Sequence, residues 1–224
     1  MPPNPLFVLS AAAPDSRPML EATGLECVRG HRRLFTGLHC KLESGDLLQI
    51  HGENGAGKTS LLRLLCGLSL PEAGEVRWNG APLAGNRPDF HRAAAYLGHR
   101  TSLSGDLSAL ENLRTARALS GRGAEISCTE ALRRMGLGDC LRLPCRALSA
   151  GQRQRAAIAG LLLRPGGVWL LDEPATALDQ HAIRQLDDII QAQAAGGGMV
   201  VFTSHRELAA GGAPVRQLHL ADFQ

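Results

Sequence analysis

Apolar and polar positions along the chain switch between two periods. Leu47-Leu48-Gln49-Ile50-His51 is a short, nearly continuous apolar run that enters a Gly-rich turn, and it reads as a buried strand. Directly after the turn, Leu61, Leu62, Leu64, Leu65 and Leu68 recur at helical spacing, which predicts a helix over Thr59–Leu68 with Pro71 beyond its end. Val168-Trp169-Leu170-Leu171 reads as a second buried strand. Gln180–Ala195 reads as a helix stopped by Gly196-Gly197-Gly198, and Met199-Val200-Val201-Phe202 as a third strand. Strands that alternate with helices favour a parallel sheet covered on both faces.

The texture changes between about Thr101 and Arg155. Leu107–Leu119 and Cys128–Leu137 read as short helices with polar faces, broken at Gly121, Gly123, Gly136 and Gly138. This predicts a helical lobe inserted into an α/β core. The expected organisation is a loose tail over 1–18 and one domain over 19–224. Its core covers about 19–100 and 156–224, and its helical subdomain about 101–155.

Hydrophobic residues make up 44% of the 224 and charged residues 20%, enough apolar surface for a packed core. Aromatics are 4%, which argues against a base-stacking platform, and a net charge of +3 is too small and dispersed for a nucleic-acid tract. No nucleic-acid partner is expected. The six cysteines, at 27, 40, 66, 128, 140 and 145, form no Cys-x-x-Cys pair, and they read as small buried residues of a reducing compartment. The longest nearly apolar stretch, Ala156–Leu163, is far shorter than the roughly 18 residues that a membrane helix requires. Lys41 and Lys58 are the only lysines among 24 basic residues, so Lys58 marks a position where an ammonium is kept.

Lys58 lies in Gly52-Glu53-Asn54-Gly55-Ala56-Gly57-Lys58-Thr59, which fits G-x-x-x-x-G-K-[ST] at every fixed position and leads into Ser60. Glycines let backbone N–H groups turn inward around phosphates, and the following helix offers its positive end to the anion. Lys58 would reach the β- and γ-phosphates, and the Thr59 hydroxyl would take one magnesium position. The loop alone leaves kinases, GTPases and motor ATPases open. Asp172 and Glu173 emerge from the second strand before Pro174. Taken alone they could be turn residues capping the next element. Beside a phosphate loop, Asp172 reads as a magnesium holder, and Glu173 as the group that polarises water or takes its proton.

Leu148-Ser149-Ala150-Gly151-Gln152-Arg153-Gln154-Arg155 precedes a helix-like apolar run. Ser149 is a suitable N-cap and Gly151 permits close backbone approach, so this is a second helix start built for a phosphate. One small chain has little use for two such sites per nucleotide. In a head-to-tail dimer, each would complete the partner's pocket.

Here the sequence resembles the ATP-binding-cassette (ABC) ATPases from about Leu20 to the C-terminus. The resemblance rests on the phosphate loop and on Leu171-Asp172-Glu173-Pro174. It rests also on Leu148–Arg155, similar to a Leu-Ser-Gly-Gly-Gln signature with Ala150 replacing a glycine. Thr176-Ala177-Leu178-Asp179 looks like the D-loop, and Thr203-Ser204-His205 places His205 as the switch histidine. The family implies a phosphate-loop NTPase fold of α/β class: a RecA-like parallel-sheet core, an antiparallel β region and an inserted helical subdomain. It implies Mg2+ and ATP as cofactors and a homodimer of cassettes. Ser149, Ala150, Gly151 and Gln152 would then serve the γ-phosphate across the dimer. Asp179 would couple the two sites, and Glu173 and His205 would act in catalysis. Two positions depart from the family. Arg29 stands where an aromatic usually stacks on adenine, and Arg can stack on a base. His99 stands where a Gln usually touches magnesium and senses the membrane partner.

Gly98-His99, Leu110-Glu111-Asn112-Leu113, the Ala-containing signature and Cys66-Gly67-Leu68 before Pro71–Val76 together resemble one branch. It is the ATP-binding subunit of bacterial cytochrome c maturation, the haem exporter. That branch implies separate integral membrane subunits, haem-handling membrane proteins as partners, and a peripheral position on the cytoplasmic face of the inner membrane. No direct haem binding is expected, because Cys-x-x-Cys-His is absent. A transport ATPase for another substrate, such as a drug, lipid or lipoprotein, is the alternative. The interval between Lys58 and Ser149 is too short for the coiled coil of chromosome-maintenance relatives.

Overall fold

A computed structural model of the protein describes residues 18–120, 126–204, 206 and 212–224. The chain begins with a long hairpin, β1 (Met19–Arg29) and β2 (Arg32–Glu43), followed by β3 (Leu47–His51) and α1 (Lys58–Leu65). Then come β4 (Ala73–Trp78), β5 (Ala81–Pro82), α2 (Arg87–Ala93) and β6 (Ala94–Leu97). Helices α3 (Ala109–Ser120), α4 (Cys128–Arg134) and α5 (Ala150–Leu162) lead to β7 (Val168–Leu171). The chain finishes with α6 (Gln180–Ala195), β8 (Met199–Thr203) and β9 (Val215–His219).

Two sheets result. One is antiparallel, in the order β2-β1-β4-β5; the other is parallel, in the order β6-β7-β8-β3-β9. The central strands of the parallel sheet are buried on both faces, which is why they read as continuous apolar runs. Their period of two divides the core. Ile50, Leu170 and Val201 pack with Phe35, Leu61, Leu65, Trp78 and Phe90 beneath the antiparallel sheet. Trp169, Leu171, Val200 and Phe202 pack on the other face with Leu113, Leu132, Ile158, Leu186 and Ile190. The lobe helices thus share one core with a face of the sheet. Among the described residues, no helix is long and apolar enough to cross a membrane.

Three helix ends differ from the sequence reading by two residues or more. The helix expected to reach Leu68 stops at Leu65, where the Leu68 N–H bonds Arg63 O and the Gly67 N–H bonds Leu64 O, a Schellman closure. Leu68 is left half exposed. The helix expected from Leu107 starts at Ala109, because Ser108 and Glu111 cap it reciprocally. Glu111 Oε2 accepts from the Ser108 N–H, and Ser108 Oγ accepts from the Glu111 N–H. The third ends at Arg134 rather than Leu137, with Met135 as its C-cap.

Candidate nucleotide site

The phosphate loop is the turn between β3 and α1. Gly57 is the N-cap of α1 and no side chain caps that end, so the N–H groups of the first turn face outward without an internal acceptor. The loop packs closely: a Cβ on Gly57 would lie 3.2 Å from Leu34 Cβ and 3.3 Å from Phe35 Cδ1. Lys58 is buried along its stem, and its ammonium donates to Gly52 O at 2.6 Å and Glu53 O at 3.3 Å. Glu53, Asn54, Gly55 and Thr59 are exposed, whereas Ala56 and Ser60 are buried.

Register places the carboxylates. Leu171 of β7 pairs with Phe202 of β8, so Asp172 leaves the sheet edge beside Thr203. Asp172 is 2% exposed, and its N–H bonds Leu97 O on the other neighbouring strand. Its Oδ2 accepts from Thr59 Oγ1 at 2.7 Å and its Oδ1 from Thr203 Oγ1 at 3.0 Å. Glu173 is half-buried and has φ +48°, a left-handed conformation that a side chain of this size adopts only when held. Its N–H donates to Thr203 Oγ1 at 2.8 Å. A cavity of about 260 Å³ lies beside Glu173, lined also by Thr176, Ser204 and Arg206.

Ser149 is the N-cap of α5 in a capping box: its Oγ accepts from the Gln152 N–H, and Gln152 Oε1 accepts from the Ser149 N–H. The hydroxyl proton of Ser149 stays available to a further acceptor, since the side chain and Ala150 are exposed. Gly151 has a reason within the chain as well: a Cβ there would come 2.7 Å from Ala177 O. The same helix is tied to this loop by buried Gln154, whose Nε2 donates to Pro174 O at 2.8 Å. Among the described residues, no hydrogen bond joins Ser149–Gln152 to the phosphate loop of the same chain.

The remaining expected residues are spread around this centre. Asp179 is the exposed N-cap of α6, and the Ala182 N–H it accepts holds its carboxyl below the usual range. Arg29 is exposed at the tip of the β1–β2 hairpin, and His99 is exposed after β6. His205 lies outside the described residues. Burial pushes the Tyr96 hydroxyl up, and the charge of Asp172 adds to it.

Three groups near the site were not expected from the sequence. Thr203 is the one polar residue of β8, and its signal was its place at the end of an apolar strand beside the carboxylate strand. Gln49, 1% exposed, donates through Nε2 to Ser204 O and Arg206 O. Asp187 on α6 is buried and ion-paired with Arg206; only an acidic residue beside Leu186 hinted at it.

The donor set suits magnesium: Thr59 and Asp172 offer hard oxygens 2.7 Å apart, at the foot of a helix N-terminus that suits a phosphate. Among the described residues, no group of three or more His, Cys, Asp or Glu could hold a metal ion by itself.

The ABC transporter family matches residues 35–176. The chain is 50% identical to the cytochrome c biogenesis ATP-binding export protein CcmA of Aromatoleum aromaticum over 194 residues, 86% of this chain and 91% of that one. It is 48% identical to the protein of the same name from Pseudomonas aeruginosa over 192 residues, 85% and 95% of the two chains. Among solved structures, an ABC transporter ATP-binding protein from Pyrococcus furiosus superimposes with a TM-score of 0.77 at 24% identity, covering 92% of this chain and 98% of that one. At that identity the likeness speaks to the fold. The ATP binding subunit of an ABC transporter superimposes with a TM-score of 0.74 at 27% identity, over 84% of this chain and 79% of that one.

Proposed function

The chain belongs to the ABC transporter family of ATP-binding proteins, and from that premise we propose that it is the ATP-hydrolysing subunit of a transporter serving c-type cytochrome biogenesis. One observation carries the chemistry. The phosphate loop and the carboxylate pair, far apart in sequence, meet at the Thr59–Asp172 hydrogen bond. The cytochrome c assignment is supported by relatives near 50% identity that cover most of both chains.

The mechanism follows from the residues. Lys58 and the outward N–H groups of the first turn of α1 take the phosphates of ATP. Thr59 and Asp172 would hold Mg2+, which when bound neutralises charge on the β- and γ-phosphates. Glu173, one residue beyond Asp172, orients water or accepts its proton for in-line attack on the γ-phosphorus, and His205 supports it. Ser149 and Gly151 of a second copy close over the nucleotide; among the described residues, no hydrogen bond joins them to the phosphate loop of their own chain. Closure shuts out bulk water and completes the site around the attacking one. Asp179 at the head of α6 couples the paired sites. Arg29 and His99 are both exposed; Arg29 serves the base, and His99 serves the magnesium side of the nucleotide site, the membrane subunit, or both. The pair of chains sits on the cytoplasmic face of the inner membrane against separate integral subunits, with haem-handling proteins as further partners.

Glu173→Gln tests both levels. The variant is expected to bind ATP as the parent does and to lose turnover about 100-fold or more, the scale of a lost general base. In cells lacking the native gene it should abolish c-type cytochromes while b-type cytochromes persist. Unchanged turnover would remove the role of Glu173. Normal c-type cytochromes despite lost turnover would move the subunit to a transporter for another substrate.

A further inference from the structure

The hydroxyl of Thr203 is 0% exposed and holds two consecutive residues at once. It donates to Asp172 Oδ1 at 3.0 Å and accepts from the Glu173 N–H at 2.8 Å. We propose that Thr203 is a positioning residue for both carboxylates of the ATPase site, an inference that rests on the reading of Asp172 and Glu173 given above.

β8 does not require a threonine here. The four residues before it are Met199, Val200, Val201 and Phe202, and valine at 203 would fill the same volume with equal strand preference. What requires the hydroxyl is the pair of groups in front of it. Asp172 is buried with both oxygens engaged, Oδ2 by Thr59 and Oδ1 by Thr203, and this fixes the plane of the carboxylate. Without Thr203, Oδ1 loses a charge-assisted hydrogen bond and the carboxylate can turn about its last torsion.

The second bond acts on the backbone. Glu173 has φ +48°, and such a conformation persists in a non-glycine residue only where its surroundings over-determine it. The N–H that Thr203 accepts belongs to that residue. Releasing it lets the 172–173 peptide relax towards negative φ, which swings the Glu173 side chain away from the path of attacking water. Among the described residues, no hydrogen bond joins Thr203 to Lys58 or to the glycines of the phosphate loop. The expected defect therefore lies in turnover and in the gain in affinity on adding Mg2+, not in nucleotide affinity measured without the metal.

The experiment compares Thr203→Val, Thr203→Ser and Glu173→Gln in the full chain. It reads steady-state kcat and KM, binding of a fluorescent ATP analogue, and hydrogen exchange of the Glu173 amide. Thr203→Val should lower kcat about 10-fold or more, as for a lost hydrogen bond to a charged group, with nucleotide affinity measured without Mg2+ kept within about 3-fold. Exchange at the Glu173 amide should accelerate, and Thr203→Ser should restore both readouts. Parent-like kcat and exchange in Thr203→Val would overturn the inference. So would a serine variant as impaired as the valine variant, since the methyl group and not the hydroxyl would then matter. If Thr203→Val fails to fold, Thr203→Cys keeps the volume with a weak donor, and full turnover in it would be equally fatal. Full turnover in Glu173→Gln defeats the underlying ATPase assignment. Lost turnover there together with parent-like Thr203→Val defeats this inference alone.

Discussion

Thr59 and Asp172, 113 residues apart, are joined by a hydrogen bond of 2.7 Å from the threonine hydroxyl to Oδ2 of the carboxylate. It links the first turn of α1 to the end of β7, two strands away in the sheet. A hydroxyl and a carboxylate this close present two hard oxygens to one small cation.

Thr59→Val keeps the volume and removes one of those oxygens. The expected result is a fall in turnover of about 10- to 100-fold, the range for losing a hydrogen bond to a charged group. Nucleotide affinity measured without Mg2+ should be unchanged, while the gain in affinity on adding Mg2+ shrinks. Titration of a fluorescent ATP analogue with and without the metal checks this. A parent-like gain on adding Mg2+ would remove Thr59 from the metal site.

Gly151→Ala tests a contact within one chain. Its Cβ would sit 2.7 Å from Ala177 O, a backbone atom that cannot swing aside. The start of α5 must shift away from the loop after Glu173, at a cost of about 1–3 kcal/mol, typical of overpacking. Urea denaturation should show the loss in the isolated chain. If stability is unchanged and only turnover falls, Gly151 serves the partner's nucleotide alone.

Much of this site was legible because its residues obey spacing rules that follow from backbone geometry. The strand, glycine loop and helix of the phosphate site are consecutive, and so are the apolar strand and its terminal Asp172. The central strands were visible as unbroken apolar runs, since both of their faces are covered. The contacts that hold the carboxylates were not legible. Thr203 reaches Asp172 only because β7 and β8 are neighbours in a given register, and no local pattern encodes that register. Gln49 and Gln154 are buried polar residues whose partners are backbone carbonyls in distant loops. The close approach of Gly151 to Ala177 needs two loops in place at once.

The cysteines predict an alkaline limit. Burial pushes the Cys40 thiol up to about 12 and the Cys66 thiol up to about 11, above an ordinary value of 9.0. The folded state thus keeps protons that the unfolded chain releases. The stability these groups contribute is present below about pH 9 and is lost as pH rises towards the folded values. Thermal midpoints should fall between pH 9 and 11, and less so in Cys40→Ala/Cys66→Ala measured against its own midpoint at pH 8. At pH 8, maleimide should label half-buried Cys140 ahead of the five buried thiols. Equal labelling of Cys40 or Cys66 in the native state would contradict their burial.

Arg206, just beyond β8, is held from two sides, and this gives the last prediction. Arg206 places both terminal nitrogens on the two oxygens of Asp187. Gln49 holds the backbone at Ser204 and Arg206. Asp187 is on α6, whose N-cap is Asp179, so the ion pair connects the expected coupling helix to the residue beside 205. The Asp187 side chain is 5% exposed and that of Arg206 34%. Removing one partner of a fully buried pair costs about 3–5 kcal/mol, and partial solvation of the guanidinium brings the expectation for Asp187→Asn to about 2 kcal/mol. Nucleotide affinity should be retained and turnover reduced, because Arg206, beside residue 205, loses this ion pair while the phosphate loop is untouched. Asp187→Leu combined with Arg206→Met removes both charges and should be less destabilised than the sum of the two single changes. Urea denaturation of the singles and the double measures that coupling. Additive losses would mean that the pair does not act as a unit.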